Sequence, residues 1–286
     1  MLFKHNPKIY AHKAAMASGN FVTPEVILNT GTDTVANLFH RYCPHRMYPM
    51  HTPGEVVQQV QCKFHGFEWT ASGTPVNNNR KINCGTASVG RSGLVMKDFV
   101  EPEHKWVDDL AQETNLVYSH SCTGESTGSW LWMMDVQADL LPVRAEGIHP
   151  GLGSEVTYDE LDIVNGDDWI LQTHPKGWWL FVYPYTFVEW MPGRVSVNYT
   201  VPKDPANEFG FSWITQFYYS NNVSAEEREQ FETLDDVWHE DVTAIEKQKG
   251  PYFPLSYASH KLEEQCVHFG NWVRQNRIRT NEIESK

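Results

Sequence analysis

The order of apolar and polar positions divides the chain into two textures. Between residues 20 and 100, short β-like runs recur: Val22 to Asn29, Thr34 to Phe39, Val56 to Cys62, Phe67 to Trp69 and Leu94 to Val100. Turn-forming clusters part them, at Asn29-Thr30-Gly31, Thr52-Pro53-Gly54, Ser72-Gly73 and Asn77-Asn78-Asn79. Runs this short, punctuated this often, predict a small antiparallel β domain. The opening residues of the chain show no clear strand pattern.

From about residue 104 the pattern changes. Trp106 to Leu116 and Trp130 to Val143 read as helices, and strands return at Trp169 to Thr173, Trp178 to Tyr183, Arg194 to Val201 and Phe211 to Tyr219. Ser224-Ala225-Glu226-Glu227 reads as a capping box, opening a helix that runs with one break to Gln248. A last helix spans about Leu262 to Arg277, with Cys266, Phe269, Trp272 and Val273 at helical spacing. The expected fold class is α+β. A small all-β unit covers residues 1–110, and a unit of helices on an antiparallel sheet covers residues 111–286.

Composition narrows the function. The chain has 286 residues, enough to bury a sizeable core, and carries 23 Lys and Arg against 36 Asp and Glu, a formal charge of −13. Nucleic acid is a disfavoured partner, because phosphate neutralisation needs concentrated positive charge and no Lys/Arg block exceeds a pair. Apolar runs such as Trp178 to Tyr183 fall far short of the ~18–20 residues of a membrane span. The basic opening segment lacks an apolar core of the signal-peptide kind, so a cytoplasmic location is expected. Trp178, Trp179, Phe181, Tyr183, Phe217 and Tyr218 are placed to fill a core in preference to lining an aromatic pocket.

Five cysteines, an odd and scattered set, argue against a disulfide scaffold. Cys84, Cys122 and Cys266 have no histidine pattern around them and read as buried or free thiols. The other two do. Arg41-Tyr-Cys43-Pro-His45-Arg46 and Gln61-Cys62-Lys-Phe-His65-Gly66-Phe67 form two loops separated by residues 46–61, and each offers one thiolate and one imidazole. Two cysteines can hold one iron of a [2Fe–2S] cluster while two histidines hold the other, which raises the reduction potential above that of an all-thiolate cluster. Zinc is the alternative for any Cys₂His₂ set, but zinc fingers pair Cys with Cys and His with His. Here each loop mixes the two types.

CPHR followed by CKFHGFEW and the turn at Ser72-Gly73 resembles the cluster loops of the Rieske non-haem iron oxygenases, and specifically their ring-hydroxylating α subunits. Neither loop has the extra cysteine usual in respiratory Rieske proteins. The resemblance runs on through most of the chain. Leu131-Trp132-Met133 through Arg144 to His149-Pro150 is similar to the family segment that opens the catalytic domain, and Glu240-Asp241 looks like the helix that supplies an iron-binding carboxylate.

The resemblance implies a helix-grip second domain, a mononuclear Fe(II) held by two histidines and a carboxylate, and O₂-dependent hydroxylation or demethylation of a small organic substrate. It implies electrons from a ferredoxin or flavin reductase, and a trimer or larger ring in which each cluster faces the next subunit's iron. Carried over residue by residue, His149 matches the second histidine and Asp241 the carboxylate. The motif also departs: Arg144 stands at the first histidine, and Leu141 at the acid that links iron to cluster, with Asp135 and Asp139 out of register. A guanidinium stays protonated and cannot ligate a metal. His174 and His239 are the available replacements. The other implied reading is a non-catalytic electron-transfer subunit of a hetero-oligomeric oxygenase.

Overall fold

The computed structural model of the chain describes residues 6–76, 80–139, 160–204, 207–234, 237–248, 250–258 and 263–276. The first unit is built from β1 (Lys8–His12), β2 (Asn20–Val22), β3 (Val26–Thr32), β4 (Val35–His40), β5 (Val56–Val57), β8 (Asn83–Val89) and β9 (Leu94–Lys97). They form an antiparallel sheet in the order β1-β9-β8-β4-β3-β2-β5, and β6 (Val60–Cys62) pairs with β7 (Phe67–Trp69) in a separate hairpin. The short-strand reading of residues 20–100 therefore holds, with its long runs subdivided.

The opening segment is a strand, contrary to the sequence expectation. β1 pairs with β9 and buries Ile9, Tyr10 and Ala11 in succession. A strand covered on both faces shows no alternation, which is the signal that was missing.

The second unit holds β10 (Leu116–Ser129), β11 (Asp162–Asn165), β12 (Trp169–His174), β13 (Gly177–Val182), β14 (Thr186–Met191), β15 (Arg194–Pro202) and β16 (Phe209–Ser220). Their order is β10-β16-β15-β14-β13-β12-β11, all antiparallel. The polar composition of β10 gave no strand signal. Its conformation comes from pairing with β16 from Leu116↔Ser220 to Ser129↔Phe209.

Among the described residues the α-helices are α1 (Lys105–Gln112), α2 (Trp130–Ala138), α3 (Ala225–Leu234), α4 (Val237–Lys247) and α5 (Glu264–Asn276). The capping box is formed: Ser224 N–H donates to Glu227 Oε2 at 2.9 Å, and Glu227 N–H to Ser224 Oγ at 3.2 Å. The helix expected over 130–143 ends sooner. Asp139 turns to extended backbone (φ −80°, ψ 120°), while its N–H still bonds the carbonyl of Asp135.

The second sheet is a partition. One face meets the first unit: Ile9 N–H donates to Thr186 Oγ1 (3.1 Å), Gln216 Nε2 to the Tyr10 carbonyl (2.8 Å), and the Tyr199 hydroxyl to Glu25, which also takes both bonds of Lys8 Nζ. The other face meets the helices. Gln172 Nε2 bonds the Ala138 carbonyl at the end of α2 (3.1 Å), and Trp213 packs on Trp238 of α4 (5.8 Å between centroids). Strand periodicity sends Trp178 and Tyr218 to the first side and Trp179 and Phe217 to the second, all buried.

The two units also meet at Gly54, whose φ of +89° favours glycine and whose carbonyl accepts the Tyr118 hydroxyl at 3.0 Å. A Cβ there would stand 2.1 Å from Ser121 Oγ on β10. Gly54→Ala is expected to destabilise the chain by about 1–3 kcal/mol, read as a lowered urea midpoint. An unchanged midpoint would mean that this loop does not seat on β10.

Candidate functional site

Two loops of the first unit carry the mixed Cys/His pattern, and they are built alike. In one, Met47 N–H donates to the Cys43 carbonyl; in the other, Gly66 N–H donates to the Cys62 carbonyl, both at 2.8 Å. Each closing residue is left-handed, Met47 with φ 54° and Gly66 with φ 70°. Gly66 meets this demand without a side-chain penalty; Met47 accepts it and stands exposed.

The cysteines and histidines separate by depth. Cys43 and Cys62 are fully buried in a small core of their own, with Val22, Ile27, Phe39, Met50, Val60, Trp69 and Ile82. His45 and His65 are exposed beside Met47, Tyr48 and Phe64, the last two stacked across the loops at 5.3 Å. The sulfurs lie within hydrogen-bonding reach of each other, and the two imidazole Nδ1 atoms are 3.1 Å apart. Burial pushes the Cys43 thiol up, the Cys62 sulfur adds to this, and the His45 and Arg46 backbone N–H groups pull it down.

This arrangement fits a two-metal cluster. Two nitrogens bound at about 2.1 Å to one tetrahedral metal lie roughly 3.4 Å apart, close to the spacing here. Sulfur stands with sulfur and nitrogen with nitrogen, as two pairs. Among the described residues no three His, Cys, Asp or Glu side chains gather around a single ion position, as a mononuclear zinc site would require.

Sequence reasoning missed the braces behind the loops. Arg41 braces the first of them, giving Nε to the His51 carbonyl (3.2 Å) and Nη1 to the Pro24 carbonyl (3.0 Å). His51 Nε2 accepts the Gln61 N–H at 3.2 Å, joining one loop to the other. Burial keeps the His51 imidazole easier to deprotonate than usual, against the pull of Glu55. The Trp69 indole N–H donates to the Arg80 carbonyl at 2.8 Å, fixing the hairpin that carries Cys62. Contacts of this kind link residues 10 or more apart and leave no local motif.

The second candidate set is divided. Asp241 is buried on α4, on the helix side of the second sheet. His149 lies outside the described residues, as do Leu141, Arg144 and Pro150. Among the described residues neither replacement histidine joins Asp241 in a group of three metal donors: His239 is exposed with its ring against Trp213, and His174 lies on β12 against Trp179.

A further carboxylate emerges on α2. Asp135 is buried and accepts the Tyr252 hydroxyl at 2.7 Å, while its backbone carbonyl accepts Cys266 Sγ at 3.6 Å. Burial pushes its carboxyl up to about 7, with Asp139 and Glu263 adding to the rise and the Tyr252 bond opposing it.

Comparison with known proteins bears on both units. A family model of the Rieske [2Fe–2S] domain matches residues 9–87. The first unit is a Rieske domain. By overall structure the chain is similar to the quaternary ammonium Rieske monooxygenase CntA bound to L-carnitine, with a TM-score of 0.68, 17% identity, and coverage of 95% of this chain and 88% of that one. It is similar to NdmA of Pseudomonas putida CBB5 (TM-score 0.53, 15% identity, 94% and 89% covered). Dicamba monooxygenase bound to dicamba gives a TM-score of 0.53 at 13% identity, with 100% and 99% covered. No curated protein matches by sequence. The Rieske domain and the helix-covered sheet are thus joined in the fold of Rieske monooxygenases. Among the described residues no helix is long and apolar enough to cross a membrane.

Proposed function

We propose that this chain is a Rieske-type oxygenase component that takes an electron at the [2Fe–2S] site and passes it to a mononuclear iron for O₂-dependent hydroxylation or demethylation of a small organic substrate. The carrying observation is the paired site itself, two buried sulfurs behind two exposed imidazoles at 3.1 Å. Cys43 and Cys62 would hold one iron of the cluster, and His45 and His65 the other. When bound, such a cluster stores one electron at a potential raised by its imidazoles.

The chain's own groups set the conditions. The small core around Cys43 and Cys62 keeps water from the sulfurs, while exposed His45 and His65 provide the edge through which a partner is reached. His149 and Asp241 would hold the mononuclear Fe(II), which would supply O₂ activation for the reaction. A ferredoxin or flavin reductase would supply electrons, and a trimer or larger ring would bring each cluster to a neighbour's iron.

Arg144 and Leu141 favour a second reading, in which the chain is a non-catalytic electron-transfer subunit of a larger oxygenase. Iron and acid-labile sulfide, counted after anaerobic purification and supply of Fe(II), separate the two. The oxygenase reading expects three irons per two sulfides in the parent chain and two per two in Asp241→Ala. Two irons per two sulfides in the parent would sink it and leave the accessory subunit.

A further inference from the structure

Alternate residues of a strand share a face, so Gln172 and His174 both turn toward the helix side of the second sheet. Each has one polar atom committed and one left over. Gln172 Nε2 donates to the Ala138 carbonyl, which fixes Oε1 as the free acceptor. His174 Nδ1 accepts the Lys176 N–H at 3.3 Å, which puts the imidazole proton on Nε2 as a donor. Gln172 is 0% and His174 6% exposed, and among the described residues neither Oε1 nor Nε2 has a hydrogen-bond partner. Buried polar groups are paired in native proteins, so two orphans on one strand face call for a bonding group.

The surroundings say what kind. Trp179 lies cross-strand from Gln172, and its ring sits 4.5 Å from that of His174 at 32°, so the imidazole packs against the indole. The charges nearby are matched: Glu189 takes the Trp179 indole N–H at 3.1 Å, the Ser196 hydroxyl at 3.3 Å and the guanidinium of buried Arg194. Arg194 in turn rests over Phe217. Burial also disfavours charge on His174 itself.

We infer that this strip of β12 and β13 is a binding subsite for a flat, neutral molecule carrying one hydrogen-bond acceptor and one donor, of the carboxamide or lactam class. The acceptor takes His174 Nε2–H and the donor gives to Gln172 Oε1, beside the packed pair of His174 and Trp179. A fully substituted ammonium has no N–H to give, and a carboxylate lacks the donor; either would bring an unmatched charge. In naming the substrate class, the inference rests on the oxygenase reading above.

The test uses the full chain with its cluster, titrated calorimetrically with benzamide, benzoate and benzyltrimethylammonium, three probes of similar ring and different charge. Benzamide is expected to bind at least about 10-fold more tightly than either ion. His174→Phe and Gln172→Leu should each weaken benzamide about 3- to 10-fold, the worth of one neutral hydrogen bond. His174→Gln, which restores an N–H donor, should stay within about 3-fold of the parent. Preference for an ion, no benzamide binding at millimolar concentration, or unchanged affinity in Phe and Leu variants with intact visible and circular dichroism spectra would overturn the inference. Binding is read without turnover, so its failure leaves the iron count standing, and a failed iron count leaves the binding result standing.

Discussion

Replacing His65 with cysteine is expected to leave a coloured [2Fe–2S] protein whose midpoint potential falls by roughly 100 mV or more, about half of what separates a two-histidine cluster from an all-thiolate one. The reason is electrostatic. A neutral imidazole adds no charge to its iron, whereas a thiolate adds one negative charge and stabilises the oxidised cluster. The site has room for the exchange: His65 is exposed, and Gly66 beside it has nothing within 4 Å of where a Cβ would stand. His45→Cys should act in the same direction, because the two Nδ1 atoms stand on one side of the site. A redox titration followed at the visible absorption of the cluster decides the matter. A potential unmoved by either substitution would remove that histidine from the ligand set. A colourless parent protein would remove the cluster altogether.

The second large effect concerns stability. Asp135→Asn is expected to stabilise the chain at pH 8 by roughly 2–4 kcal/mol and to change it little at pH 4.5. Burial holds the native Asp135 carboxyl at about 7, well above its value in an unfolded chain. Below about pH 4 the group is protonated in both states and folding is unaffected. Between about pH 4 and 7 the unfolded chain has lost the proton and the native chain has kept it, so stability declines as pH rises. Above 7 both are ionised and the loss is complete, on the order of 4 kcal/mol. Asparagine removes that dependence and still offers Oδ1 to the Tyr252 hydroxyl, although its new N–H₂ group needs a partner and offsets part of the gain. Urea midpoints of both chains at pH 4.5 and 8 provide the check. Parallel pH dependence in parent and variant would show that Asp135 does not stay protonated in the native state.

Much of the α+β order was legible from periodicity, because the strands of residues 20–100 and 169–219 carry β-branched and aromatic runs between turn residues. What escaped was β11 and β14, for which no run was assigned, and three strands whose register is imposed by their neighbours. β1 is buried on both faces, β8 reads NCGTASV, and β10 is largely polar over 14 residues. Their conformations are held by ladders to β9, β4 and β16, contacts far apart in sequence. Asp135 was visible in the sequence only as an acid out of register with the linking position, and its burial comes from packing against Tyr252 and α5.

The sequence by itself determined the pairing of one cysteine with one histidine in each of two loops, because ligand type and close spacing are local properties. It also determined the departure at Arg144, because no fold turns a guanidinium into a metal ligand. Only the tertiary structure decided which donors meet. It set sulfur beside sulfur in a closed core and nitrogen beside nitrogen at the surface, and it placed Asp241 on the far side of a sheet from the Rieske domain. It also left Gln172 and His174 facing the helices with a donor and an acceptor to offer. Depth and convergence depend on contacts between distant segments, and a linear pattern does not carry them.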